Sequence, residues 1–120
     1  MSRFDNLQYK HEIPERLTLP ISLLTQTNLN DLSYQTKGFD GGYFENYLID
    51  EDGLLLKSKD KYDDAYNPTD YHFCSNYTGV FNFYSNFYPN AYALKTSYIE
   101  FKCQIVDGKV IELKLVEYGP

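Results

Sequence analysis

Apolar and polar residues alternate most regularly in the last quarter of the chain. Between residues 99 and 115, apolar side chains recur at almost every second position on both sides of Asp107 and Gly108. A period of two is typical of a strand with one buried face, so this stretch predicts a β-hairpin. A two-residue turn would place Cys103 opposite Glu112, whereas a three-residue loop places it opposite Ile111 and collects the apolar side chains on one face. The pattern therefore predicts the three-residue loop, a type I turn with Gly108 in the left-handed conformation.

Shorter patterns predict the other strands, at residues 33–39, 44–49, 54–57 and 78–84. The second and third of these runs form a hairpin closed by Asp50-Glu51-Asp52-Gly53. Pro14 and Pro20 interrupt any long helix in the first 32 residues, where residues 20–28 allow one or two helical turns at most.

The fold that these patterns predict is mainly β, a single antiparallel sheet of hairpins with minor helix, with α+β as the alternative class. A length of 120 residues suits one domain, residues 1–120, around one core. Within it we expect an irregular N-terminal segment at 1–32 and a β-hairpin core at 33–120.

Aromatic residues are concentrated between residues 71 and 101, where eleven occur in 31 positions. Phe81 and Phe83 alternate with polar residues and are predicted to belong to the core. The remaining candidates lie at the end of a strand and in a polar connection rich in Asn, Ser and Pro, which favours a contact surface because tyrosine is common at interfaces. These candidates are Tyr84, Phe87, Tyr88 and Tyr92.

The net charge of −6 lies entirely in residues 40–70, which carry nine acidic and three basic side chains. An acidic surface argues against nucleic acid as a direct ligand, because neutralising phosphates requires a basic face. It favours a basic protein surface as partner, and that partner could itself bind nucleic acid. The acidic residues predicted to contact it are Asp50, Glu51, Asp52, Asp60, Asp63 and Asp64.

Residues for catalysis or metal binding are few. The Asp50–Gly53 loop lacks the spacing and the closing glutamate of an EF-hand, and the two histidines and two cysteines form no close ligand pairs. We therefore predict a non-enzymatic protein with no metal, no cofactor and free thiols at Cys74 and Cys103. No apolar run approaches the length of a membrane span, and the N-terminus lacks a secretory pattern, so the cytoplasm of a host cell is the expected location.

Short motifs suggest a relationship. Phe4-Asp5, Gln35-Thr36-Lys37, Asp52-Gly53-Leu54 and Asp107-Gly108 occupy corresponding places in a diffuse group of small uncharacterised phage and prophage proteins, which this chain resembles over about half its length. The resemblance implies a β-hairpin fold and an origin in a mobile element. It implies no activity and no catalytic residues.

The leading hypothesis is a protein-binding module, a phage-encoded inhibitor of a host defence effector of the CRISPR type, that uses its acidic surface and has tyrosine anchors. A small-ligand or carbohydrate-binding domain that uses the 71–101 aromatic cluster is the alternative. A metal-dependent enzyme that uses carboxylates in 40–70 is a third hypothesis. An exposed β edge could also pair two copies into a homodimer.

Overall fold

A computed structural model describes residues 6–13, 27–37, 46–58 and 71–119, and the statements below concern these ranges. They contain eight strands and one short 3-10 turn, so the prediction of a mainly β fold with minor helix is confirmed. The strands are β1 (Asn6–Tyr9), β2 (Ser33–Lys37), β3 (Asn46–Ile49), β4 (Leu55–Ser58), β5 (Tyr71–Phe73), β6 (Gly79–Phe87), β7 (Ser97–Val106) and β8 (Lys109–Gly119), and the 3-10 turn is Leu29–Asp31.

All eight strands belong to one sheet, in the order β5-β4-β3-β1-β2-β6-β7-β8. The single sheet is as predicted, but it is not purely antiparallel, because β1 and β3 run parallel. Strand β1 pairs antiparallel with β2 on one side and parallel with β3 on the other.

The N-terminal segment is not irregular throughout. The prediction for 1–32 is wrong at Asn6–Tyr9, which forms β1 near the middle of the sheet. Leu7 and Tyr9 are buried while their neighbours Asn6 and Gln8 are exposed. A four-residue strand shows this alternation only twice, which is too short a pattern to distinguish from an irregular segment.

The core lies on one face of the sheet and is built mainly of aromatic rings. Phe83 is fully buried, and its ring lies 4.9 Å from Tyr34, 5.2 Å from Tyr9 and 5.4 Å from Phe101, measured between centroids. Offset and edge-to-face ring pairs of this kind add about 1 kcal/mol each to the burial itself. Strands β1, β2, β6 and β7 are therefore joined through side chains as well as through backbone hydrogen bonds.

The sheet bends back on itself, because two strands that are distant in its order meet at one end. Leu54, just before β4, forms a bridge with Lys109 at the start of β8. The Leu55 N–H donates to the Gly108 carbonyl at 2.8 Å, and the Val110 N–H donates to the Gly53 carbonyl at 2.9 Å. Closure of this kind surrounds the aromatic core with strands, as in a partly open barrel.

The C-terminal hairpin turns in two residues, not three. Val106 pairs with Lys109, and both turn residues have positive φ, 50° at Asp107 and 79° at Gly108, as in a type I′ turn. The predicted three-residue loop is therefore wrong, although the left-handed conformation of Gly108 is as expected.

A β-bulge in β8 explains the error in register. Ile105 pairs with Val110 and Gln104 with Glu112, so Ile111 is the extra residue, and Cys103 then lies opposite Leu113 rather than Ile111. The apolar side chains reach one face because the bulge absorbs the additional residue that the sequence pattern assigned to the turn. A second bulge follows at Val116, between the pairs formed by Phe101 and Glu100.

Gly108 should be indispensable to this closure. A Cβ atom there would lie 2.5 Å from the Cys74 carbonyl oxygen, on a residue whose φ of 79° already strains any side chain. We expect Gly108→Ala to lower the free energy of unfolding by about 3 kcal/mol in urea titration.

Gly119→Ala is the matched control, because nothing lies within 4 Å of the added Cβ. Its effect should stay within about 0.5 kcal/mol. Equal stability of the two alanine variants would contradict the structural role given to Gly108.

Candidate functional site

The acidic loop between β3 and β4 is organised by its first residue. The Asp50 carboxylate accepts hydrogen bonds from the N–H groups of Asp52 at 3.0 Å and Leu54 at 2.9 Å, and the Asp50 carbonyl accepts from Gly53. Gly53 has a φ of 81°, so the three-residue loop with a left-handed glycine occurs in this hairpin. The Asp50 carboxylate thus forms its hydrogen bonds within its own turn. The prediction that this loop closes a hairpin is confirmed.

The other predicted acidic residues divide into two sets. Glu51 and Asp52 are exposed at the tip of the loop, where the Glu51 carbonyl lies 2.9 Å from His11 Nδ1. Asp60, Asp63 and Asp64 lie outside the described residues. Among the residues that the structure describes, no three His, Cys, Asp or Glu side chains are grouped so that they could hold a metal ion.

The four aromatic candidates have three different environments. Phe87 is buried in the core, at the end of β6, and offers a partner almost no surface. Tyr84 is half-buried on the outer face of the sheet, with its ring centroid 5.8 Å from that of Tyr98. Tyr88 and Tyr92 are exposed, by 63% and 92% respectively, in the connection between β6 and β7.

This connection, residues 88–96, is called the tip loop below, and it is held by hydrogen bonds of its own. The Asn90 side chain accepts from the Tyr92 N–H at 2.9 Å, and the Asn90 carbonyl accepts from Ala93 at 3.2 Å. The Thr27 hydroxyl donates to the Pro89 carbonyl at 2.6 Å, which ties the loop to another segment. Tyr92 is therefore displayed by a formed turn.

Leu94 is a further exposed apolar residue of the tip loop, and it was not among the predicted contact residues. It is 95% exposed, more than any other large apolar side chain among the described residues. The sequence feature that could have identified Leu94 as exposed is its place in a polar connection without aspartate, after two tyrosines. No alternating pattern there assigns it to the core. Three large side chains thus leave apolar surface exposed along nine residues of the tip loop.

The structure separates the tip loop from the acidic loop. The tip loop precedes Ser97, at one end of β7, whereas residues 53–55 bond to the turn that follows Val106 at the other end. A ten-residue strand spans about 30 Å. The exposed tyrosines and the Glu51–Asp52 pair therefore lie at opposite ends of the sheet and do not form one continuous patch.

A polar cluster on the outer face of the sheet was not anticipated either. Glu100 is only 6% exposed, yet it lies on the face opposite the core. Its carboxylate accepts hydrogen bonds from Lys37 Nζ at 3.0 Å, from Asn82 Nδ2 at 2.6 Å and from the Tyr98 hydroxyl. Lys37 Nζ also lies 4.8 Å from the centroid of the Tyr84 ring, within range of a cation–π contact.

The charges in this cluster are fixed by their contacts. Burial alone would raise the pKa of Glu100, but the hydrogen bonds from Tyr98, Asn82 and Lys37 outweigh it and hold the pKa below its usual range. The hydrogen bond to Glu100 raises the pKa of Lys37, and burial raises the pKa of Tyr98. At neutral pH the cluster is therefore a carboxylate, an ammonium and a neutral phenol, an arrangement that joins β2, β6 and β7.

The two thiols are not activated as nucleophiles. Cys103 is fully buried, and burial raises its pKa to about 12. Burial also raises the pKa of Cys74, against an opposing effect of the Lys57 charge. Both cysteines are free, as predicted, and thiolate chemistry at neutral pH is disfavoured at both.

Comparison with known proteins identifies no relative, since no family model, curated protein or solved structure matches the chain. The resemblance to small phage proteins stays a prediction. No helix in the described ranges is long and apolar enough to cross a membrane.

The Glu100 cluster predicts a specific dependence of stability on pH. Because the pKa of Glu100 is lowered on folding, the stabilisation is complete above the pKa of an unfolded glutamate, about 4.3, and is lost as the pH falls through the folded value. We expect Glu100→Gln to cost about 2 kcal/mol at pH 7 and the difference from wild type to shrink in acid.

Glu112→Gln is the control for this measurement. Glu112 is exposed and meets Lys114 at 3.7 Å, a surface contact worth less than about 1 kcal/mol. Denaturant titrations of the three proteins between neutral and acidic pH provide the comparison. A difference between wild type and Glu100→Gln that grows in acid would contradict the assignment.

Proposed function

We propose that the protein is a binding module that contacts a protein partner through the tip loop. The observation that supports this most is the exposure of Tyr92 and Leu94, by 92% and 95%, on a loop whose backbone is held by Asn90. Large apolar side chains that protrude from an ordered loop are suited to insert into a partner, because little conformational freedom is lost on binding.

The proposed partner surface is an apolar depression able to receive a tyrosine and a leucine. Lys95 is exposed beside them, and the tip loop contains no acidic residue. The tip loop would therefore supply apolar anchoring, while any attraction for a basic partner would come from elsewhere on the molecule.

The finer proposal is that the target is a basic host protein, such as a nucleic-acid-binding defence effector. Its support is the excess of six acidic charges in residues 40–70 and the resemblance to phage proteins. Glu51 and Asp52 are the exposed members of this set within the described ranges. Since they lie about 30 Å from the tip loop, a target that contacts both would have to extend along the length of β7.

The ligand-binding alternative gains no support from the core members of the aromatic cluster or from its outer-face pair. Phe81, Phe83, Phe87 and Phe101 pack in the core and have no exposed ring face to stack on a sugar. The outer-face pair, Tyr84 and Tyr98, is occupied by the Lys37 ammonium.

A binding experiment with matched variants tests the tip-loop proposal. Immobilised wild type would be used to capture partners from extracts of candidate host bacteria, and the captured protein would then be purified for titration. We expect the double variant Tyr92→Ser/Leu94→Ser to bind at least about tenfold more weakly, because truncating central anchors typically costs more than 1.4 kcal/mol.

Val80→Ser/Ile111→Ser is the matched control, since both side chains are exposed apolar residues near the opposite end of the sheet. It should bind like wild type. Glu51→Lys/Asp52→Lys, measured at low and high salt, tests the acidic loop separately. Equal affinity of the tip-loop variant and the control would refute the proposed function.

A further inference from the structure

The outer edge of β8 is a second candidate contact surface. In the strand order β8 is the last strand, and within the described ranges its outer side is bonded only at its start, by the bridge from Lys109 to Leu54 and the hydrogen bond from the Val110 N–H to the Gly53 carbonyl. From Ile111 to Gly119 no described residue bonds to this edge, and Val116 is 50% exposed there. Strand edges with free backbone groups are natural templates for another strand.

The charges on β8 are poorly matched inside its own chain. Lys114 lies directly opposite Lys102 on β7, and Glu117 lies directly opposite Glu100. Like charges in directly opposed positions are destabilising. Glu100 is paired with Lys37, and Lys114 meets Glu112 at 3.7 Å, but the described residues provide no ion pair for Glu117 or for Lys102. Opposite charges from a strand added outside β8 would relieve this mismatch.

A second copy of β8 supplies those charges when it is aligned antiparallel in one register. If Lys114 faces Glu117 of the second copy, the twofold symmetry places Glu117 opposite Lys114 of that copy, so two ion pairs form at once. The same register puts Leu113 opposite Tyr118 and Leu115 opposite Val116. Leu113 is buried and Tyr118 half-buried against the core, so apolar residues meet apolar residues.

The bulge at Val116 makes this register compatible with the faces of the sheet. Lys114 and Glu117 both lie on the outer face although three positions separate them, because the bulge shifts the alternation by one. A second copy carries the same bulge, so its outer-face residues shift equally. Without the bulge at Val116 in each copy, Glu117 would lie on the core side of the sheet. Lys114 of one copy would then face a core-side residue of the other.

A competing register, centred on Leu113, is obstructed. It would place Lys109 opposite Glu117 and Val110 opposite Val116 of the second copy. That part of the edge is already occupied, because Lys109 bridges Leu54 and the Val110 N–H donates to the Gly53 carbonyl. The segment from residue 112 to residue 119 avoids this closed end.

We propose that two copies of this chain form a homodimer by antiparallel pairing of their β8 edges over residues 112–119, with Lys114 opposite Glu117. The dimer joins two eight-stranded sheets across a twofold axis between Leu115 and Val116. The tip loop is not part of the paired segment, and the dimer does not depend on the partner proposed for that loop.

A charge-swap series tests this pairing directly. Sedimentation equilibrium over a wide range of protein concentration should show a wild-type monomer–dimer equilibrium. Lys114→Glu and Glu117→Lys should each weaken dimerisation by about tenfold or more, since each substitution creates two like-charge contacts across the axis. The double variant Lys114→Glu/Glu117→Lys should restore the wild-type dissociation constant to within a few-fold.

The single variants are not expected to fail by unfolding, because each replaces a like-charge pair between β7 and β8 by an opposite-charge pair. Lys114→Glu also loses the contact with Glu112 at 3.7 Å, but that exposed pair is worth less than about 1 kcal/mol. Circular dichroism would verify the fold. A wild-type protein that remains monomeric, a dimer unaffected by either single variant, or a double variant as monomeric as the singles would each overturn the proposal. Rescue by Glu112→Lys/Lys114→Glu alone would overturn the register in favour of the one centred on Leu113.

Discussion

The structure depends on the junction at which the β7–β8 turn is bonded to two other segments of the chain. Gly108 accepts from Leu55 and donates to the Tyr77 carbonyl at 2.8 Å, while Asp107 donates its N–H to the Thr78 hydroxyl at 3.0 Å. The junction connects β8, at the end of the strand order, to the start of β4, near the other end. An open sheet with one apolar face would leave its aromatic core in water, whereas this closure lets strands from both ends shield it.

The same junction decides where the possible contact surfaces lie. It holds the acidic loop beside the β7–β8 turn, so that the tip loop is left at the far end of β7 with Tyr92 and Leu94 exposed. It also occupies the first two residues of the β8 edge and leaves residues 111–119 without a described backbone partner. The binding proposal and the dimer proposal therefore use different parts of the surface that this closure leaves open.

Much of the fold could be predicted from the alternation of apolar residues, but its details depend on information that alternation does not contain. Period two identified β6, β7 and β8 and the core positions Phe81 and Phe83. It could not distinguish a three-residue loop from a two-residue turn followed by a bulge, because both bring the apolar residues to one face. β1 was missed because a four-residue strand is defined by pairing with two neighbours that are distant in sequence.

The candidate site was predicted less completely, for similar reasons. Tyr88 and Tyr92 are exposed as the polar surroundings suggested, but burial of Phe87 follows from its place as the last residue of β6. The Glu100 cluster depends on the alignment of β2 with β6 and β7, which local sequence does not specify.

Native-state hydrogen exchange tests the closure most directly. If the junction holds the sheet together, the amide protons of Leu55, Gly108 and Val110 should exchange only through global unfolding, with a denaturant dependence equal to that of Phe83 and Phe101. The amides of Tyr92 and Ala93, in the tip loop, should exchange through local opening. Exchange of the junction amides as fast as those of the tip loop, independent of denaturant, would contradict the account.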